Sequence, residues 1–111
     1  MIVEAHTQAD IDAVLSANKP SWVFKHSATC PISLAAMTEV ETYLLAHADE
    51  PAAMVVVQRE RALSNWISTR LGRVHQSPQL FLISGGAVVW SASHWSITAD
   101  VMGLQRAKLA Q

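Results

Sequence analysis

Trp22-Val23-Phe24-Lys25-His26-Ser27-Ala28-Thr29-Cys30-Pro31-Ile32-Ser33 is the stretch that decides the fold. From Trp22 to about Ser27 it is mostly apolar, with Lys25 as the interruption, which is the pattern of a central strand buried on both faces. The run then meets the only cysteine of the chain, a proline and a helix-like pattern. Pro31 fits a first helical position, where its missing N–H would have had no partner anyway, so Cys30 becomes the N-cap and Ser33 the third helical residue. A thiol at that junction faces unpaired backbone N–H groups and the positive end of the helix dipole. Both favour thiolate, the reactive form, over thiol.

A lone cysteine is ordinarily a small buried apolar residue, and it is the helix-start context that sets Cys30 apart. Ser33 stands where a dithiol enzyme would carry its second cysteine. A hydroxyl there can hydrogen-bond the thiolate but cannot attack a disulfide, so a mixed disulfide on Cys30 must await an outside thiol.

Working outward, Leu34, Met37, Val40 and Leu44 make one apolar stripe of a helix that ends near His47-Ala48-Asp49. Ala52 to Val57 is a valine-rich run bounded by Pro51 and Gln58-Arg59, and reads as a buried strand. Leu63, Trp66, Ile67, Leu71 and Val74 follow at helical spacing, with Gly72 near the end. Leu80–Ile83 and Ala87–Ala92 are strand-like runs flanking Ser84-Gly85-Gly86, a tight hairpin turn. Ser96 or Thr98 caps a last helix with Ile97, Val101 and Leu104 inward and Asp100 in its first turn.

Toward the N-terminus, Thr7 and Asp10 have the spacing of a capping box, and Ile11, Val14 and Leu15 continue a helix to about Asn18, before Lys19-Pro20. Ile2 and Val3 could add a short strand. The order is α/β: a mixed four-stranded sheet, or five-stranded with the N-terminal strand, carrying helices on both faces.

At 111 residues with 50% hydrophobic content, the chain is expected to be a single domain, residues 1–111, with one core. Eight Lys plus Arg against nine Asp plus Glu, net charge -1, leave no basic run or acidic tail for nucleic acid or membrane. The N-terminus lacks the basic flank and apolar run of a signal peptide, and one cysteine fits a reducing, cytoplasmic setting. Five histidines and one cysteine do not make the four converging ligands of a structural zinc site, so no metal site is expected.

Topology assembles one edge of the sheet. Parallel strands place Gln58-Arg59 on the edge where Cys30 lies, and an antiparallel hairpin brings Ser77-Pro78 and Ser93-His94-Trp95 there too. His94 could orient a substrate carboxylate or stabilise the thiolate, and Arg59 could attract an anionic thiol. Trp22, Trp66 and Trp90 fall in apolar patterns and belong to the core. Trp95 either walls a substrate groove or covers the end of the core.

The Cys30-Pro31-Ile32-Ser33 motif, the element order and a proline opening the third strand resemble the thioredoxin and glutaredoxin superfamily over nearly the whole chain. More closely, Phe24-Lys25-His26-Ser27, Thr29-Cys30-Pro31-Ile32-Ser33, Ser77-Pro78-Gln79 and Ser93-His94 resemble the monothiol bacilliredoxins, the YtxJ-like family. That resemblance implies a thioredoxin-like fold and removal of a low-molecular-weight thiol, bacillithiol, from mixed disulfides on proteins. It implies Cys30 as the attacking residue, with Thr29, Pro31 and Ser33 of the motif beside the bound thiol. Pro78 matches the superfamily's cis-proline, and Ser77 before it would offer its backbone to that thiol. Two departures separate the chain from glutathione-using glutaredoxins. Their lysine lies closer to the cysteine than Lys25 does, and their paired glycines after strand 4 are replaced here by Ser93-His94.

The expected partners are thus a small thiol and thiolated proteins, with bacillithiol as co-substrate and no organic cofactor. Oligomeric state is not written in the pattern. Two other classes share these residues: an iron–sulfur cluster carrier of the monothiol-glutaredoxin type, with Cys30 from two subunits, and a thioredoxin-fold binding module without turnover.

Overall fold

The computed structural model describes residues 2–109. Strand β1 (Ile2–Glu4) leads into helix α1 (Gln8–Leu15), strand β2 (Ser21–His26), helix α2 (Pro31–Ala46), strand β3 (Ala52–Val56), helix α3 (Arg61–Leu71), strands β4 (Gln79–Ser84) and β5 (Ala87–Ser93), a single 3-10 turn at His94–Ser96, and helix α4 (Ala99–Lys108). The five strands lie in the order β1-β3-β2-β4-β5. β1 and β2 flank β3 in parallel, β4 runs antiparallel to β2, and β5 antiparallel to β4. The N-terminal strand therefore joins the sheet, as its fifth and edge member.

Strand alternation separates two cores. Trp22, Phe24, Met54, Leu80 and Leu82 pack under α2 and α4 with Val40, Leu44 and Met102. Val23, Val55, Phe81 and Ile83 pack against α1 and α3 with Ile11, Leu63 and Ile67. Trp22 is fully buried, and Trp66 and Trp90 pack partly buried against the two clusters.

Local chemistry sets the element ends. Thr7 caps α1 in a complete capping box with Asp10, whose carboxyl is held below its usual range mainly by the backbone N–H groups of His6 and Thr7. α1 stops at Leu15, three residues short of the expected end, where Ser16 N–H bonds back to Asp12. Gly72 ends α3 in the left-handed conformation, φ 66°. Gly85 and Gly86 form the two-residue turn of the β4–β5 hairpin with φ 62° and 79°, the double positive φ that a tight hairpin of this hand requires. Of the two candidate caps, Thr98 starts α4, its hydroxyl accepting Val101 N–H at 3.2 Å.

Three apolar positions expected inward are not. Leu34 is 52% exposed, because α2 turns Ser33, Ala36, Val40 and Leu44 to the sheet instead. Leu104 is exposed and Met102 takes the buried place on α4, while Val74 lies beyond the end of α3 and is exposed. Apolar residues at the surface are common enough that a stripe over-counts the core.

The end of the sheet remote from Cys30 is closed by a buried polar knot. Glu50, 6% exposed, accepts hydrogen bonds from Trp22 Nε1 (2.7 Å) and Tyr43 Oη (2.9 Å), and Arg106 Nε lies 3.5 Å from its second oxygen. The Tyr43 hydroxyl is pushed well above its usual range, first by burial and then by this carboxylate.

Candidate active site

Pairings His26 with Val56, Lys25 with Gln79, and Gln79 with Ser93 align the ends of β2, β3, β4 and β5 at one sheet edge. The loop Ser27–Cys30, Gln58, Ser77-Pro78 and His94 all hang from it. Cys30 is the N-cap of α2 in extended conformation (φ -99°, ψ 121°), Pro31 opens the helix, and Cys30 C=O accepts Leu34 N–H at 3.0 Å. The Cys30 side chain makes no capping hydrogen bond and is partly exposed. Cys30 thus stands, partly exposed, at the positive end of a 16-residue helix.

Gln58 shapes the loop that carries it. Its Oε1 accepts Ala28 N–H at 3.1 Å, and its Nε2 donates to Ser27 Oγ at 2.6 Å and Thr29 Oγ1 at 3.3 Å. The Thr29 hydroxyl, expected beside the small thiol, faces this clamp. Sequence reasoning places Gln58 at the right edge but contains no signal for a bond spanning about thirty positions.

Ser33 differs from expectation. Its hydroxyl is buried and held by Ser27 N–H and His26 Nδ1, each at 2.8 Å, rather than by the Cys30 sulfur. Since the oxygen accepts from Ser27, its own proton is free for Nδ1 of a neutral His26, the form burial favours. Arg59 also differs, pairing with Glu4 Oε2 at 3.0 Å, so it leans toward β1 and away from the cysteine loop.

The Ser77-Pro78 peptide is cis, and Pro78 C=O accepts His94 N–H at 3.2 Å, which joins the two loops. Ser77 Oγ is buried without a hydrogen-bond partner. His94 adopts a left-handed φ of 54°, uncommon for a residue with a side chain, and its ring is exposed. Next to it Trp95, 69% exposed, walls a cleft of about 510 Å³ with Trp90, Ser93 and Val101. Neither Cys30 nor Ser77-Pro78 lines that cleft.

The family model for monothiol bacilliredoxin BrxC matches residues 3–102. The chain belongs to the monothiol bacilliredoxin family. Its similarity to a solved thioredoxin-fold protein named as a candidate oxidoreductase agrees: 31% identity, 96% of this chain and 93% of that one covered, TM-score 0.87. Oxidised thioredoxin from Plasmodium falciparum (13% identity, 100% of both chains, TM-score 0.76) and a mutant thioredoxin from Halobacterium salinarum NRC-1 (20%, 96% of this chain and 88% of that one, 0.77) share the fold. The bacilliredoxin chain thus has a thioredoxin fold and belongs to a thiol–disulfide oxidoreductase family whose partners are protein thiols. No helix among the described residues is long and apolar enough to cross a membrane.

A buried lysine, a buried imidazole and a second imidazole at the surface beside that lysine give this bacilliredoxin a pH signature. Burial pushes His26 and His75 below the usual imidazole range, with Arg59 adding at His26 against Glu41, and Lys25 and Arg61 adding at His75. Burial lowers Lys25 to about 8. In each case the unfolded chain binds the proton more tightly, so stability rises with pH between the folded and the unfolded value. The urea midpoint should therefore fall as pH drops below about 6.5, the free-imidazole value, and should climb between about pH 8 and 10.5 as Lys25 discharges. A flat midpoint across both windows would contradict the burial of Lys25 and His26.

Proposed function

We propose that Cys30 is the nucleophile of a one-thiol transfer and that its co-substrate is bacillithiol. The Cys30 thiolate attacks the small-thiol sulfur of a mixed disulfide on a protein. A new disulfide forms between Cys30 and the small thiol, the old one breaks, and the protein sulfur leaves as a thiolate that takes a proton from water. A second small thiolate then attacks the adduct, carrying off the first as a symmetrical disulfide and restoring the Cys30 thiolate. Atoms and charge balance with no cofactor or metal.

The observation that carries this reading is the placement of the single cysteine: a partly exposed N-cap whose side chain makes no capping hydrogen bond, while the next polar group along the helix, Ser33, is committed to His26 and Ser27. Family membership supports the thiol chemistry, and the Ser77-Pro78 segment, tied to His94 at the same edge, supports a seat for the small thiol there. Such a cycle suits a reducing cytoplasm, where the second thiol is abundant. Rates of adduct formation with bacillithiol, glutathione and coenzyme A disulfides test the choice of co-substrate. Bacillithiol is expected to react fastest, and a glutathione rate equal to or above it would remove that choice.

Ser33→Cys tests the one-thiol character. A thiol at position 33 lies one helical turn from Cys30 and beside His26 Nδ1, which can take its proton. The variant should expel the bound small thiol by forming an internal disulfide, with no second small thiol needed. Persistence of the Cys30 adduct in Ser33→Cys would mean that position 33 cannot reach the sulfur.

A further inference from the structure

Lys25 is 0% exposed in the middle of the sheet, and among the described residues no carboxylate lies within ion-pair distance of it. Its Nζ donates to Ser68 Oγ on α3 at 2.6 Å and meets His75 Nδ1 at 3.0 Å. Directly opposite on β4 is Gln79, also buried. The Gln79 Nε2 donates to Val74 C=O at 3.1 Å, and its Oε1 accepts Gln76 N–H at 3.1 Å. Two cross-strand neighbours thus send long polar side chains into the same three residues, 74 to 76. That segment has no helix or strand of its own and runs directly into Ser77-Pro78.

A buried ammonium without a counter-ion opposes folding, and an apolar side chain of similar length would fit a sheet core better. Packing therefore does not explain Lys25. What its contacts accomplish is to hold a loop, and through the Pro78 C=O to His94 N–H bond they hold the second loop as well.

We infer that Lys25 is a positioning residue, which with Gln79 sets the Ser77-Pro78 segment against Cys30 and so governs how the small-thiol half of a mixed disulfide is seated. The inference rests on the reading of Cys30 as the nucleophile. It adds a condition on His75: the Nδ1 lone pair that receives Lys25 must be free, so a protonated His75, facing Lys25 from β2 and Arg61 from α3, loosens the brace.

The experiment compares wild type, Lys25→Met and His75→Ala, the last leaving the core untouched should Lys25→Met fail to fold. Both variants should raise KM for a small-thiol mixed disulfide, lowering kcat/KM by about ten- to a hundredfold. The rate at which iodoacetamide alkylates Cys30 should be unchanged, because the helix start is intact. Hydrogen exchange at the His94 amide should quicken, and Lys25→Met should melt no lower than wild type. In wild type KM should rise as pH falls through the protonation of His75, and that limb should be missing from both variants.

Unchanged KM and unchanged His94 exchange in the variants would overturn the inference. So would a loss of stability with KM intact, which is the mark of a structural lysine, or a matching fall in alkylation, which would place the effect on Cys30 itself. If wild type transfers no small thiol, the reading of Cys30 fails, and His94 exchange alone then decides whether the brace exists.

Discussion

Cys30→Ser is expected to abolish transfer of a small thiol while changing the stability by less than about 1 kcal/mol. Removal of the sulfur removes the only atom in the chain that can form the mixed disulfide, since no second cysteine exists to take over. Stability should hold because the N-cap is a position where serine is among the preferred residues, and the wild-type thiol makes no capping bond that would be lost. A serine hydroxyl can accept a first-turn N–H, so a small gain is the more consistent outcome. Transfer from a labelled mixed disulfide and a urea titration check the two halves. Residual transfer at about a tenth or more of the wild-type rate, or a loss above about 2 kcal/mol, would return Cys30 to the status of a packing residue.

The features that sequence reasoning reaches are those set by local chemistry or by strand direction. Pro31 after an apolar run announces the start of α2, Thr7 with Asp10 announces α1, and the paired glycines place the hairpin. Once β2 and β3 are parallel and β4 and β5 antiparallel, the edge that gathers Cys30, Gln58, Pro78 and His94 follows from direction alone. Side-chain partnership across that edge does not follow. Ser33 has Cys30 and His26 within one turn or one strand end, and only the packed helix decides that its hydroxyl belongs to His26. Arg59 pairs with Glu4 because β1, three residues long, docks beside β3, a pairing too short for pattern to predict. Lys25 reads as a flaw in an apolar strand until α3 and the 74–76 loop are seen to close over it.

Glu50→Ala should cost about 3–5 kcal/mol, the largest loss expected of any polar substitution here. The buried carboxylate is the acceptor for Trp22 Nε1 and Tyr43 Oη and lies beside Arg106 Nε, which has no hydrogen-bond partner of its own. Truncation leaves an indole N–H, a phenol and a half-buried guanidinium without an acceptor, and opens space under α2 and α4 where the Trp22 ring meets Tyr43 and Trp90 edge-on. Glu50→Gln retains one acceptor oxygen and should lose less than about half as much. Urea midpoints of the two variants are the measurement. A loss below about 1 kcal/mol in Glu50→Ala would show that water replaces the carboxylate and that the knot is not closed. Thiol transfer measured well below the melting temperature should be spared in both, because the knot lies at the end of the sheet remote from Cys30.

Transfer through a single sulfur is tested most directly by the mass of the intact protein after brief exposure to bacillithiol disulfide, followed by addition of free bacillithiol. The expected result is one adduct of one small thiol per chain, mapped to Cys30, which disappears when the free thiol is added and is never formed by Cys30→Ser. Absence of an adduct on the wild-type chain, or an adduct that free thiol cannot remove, would contradict it.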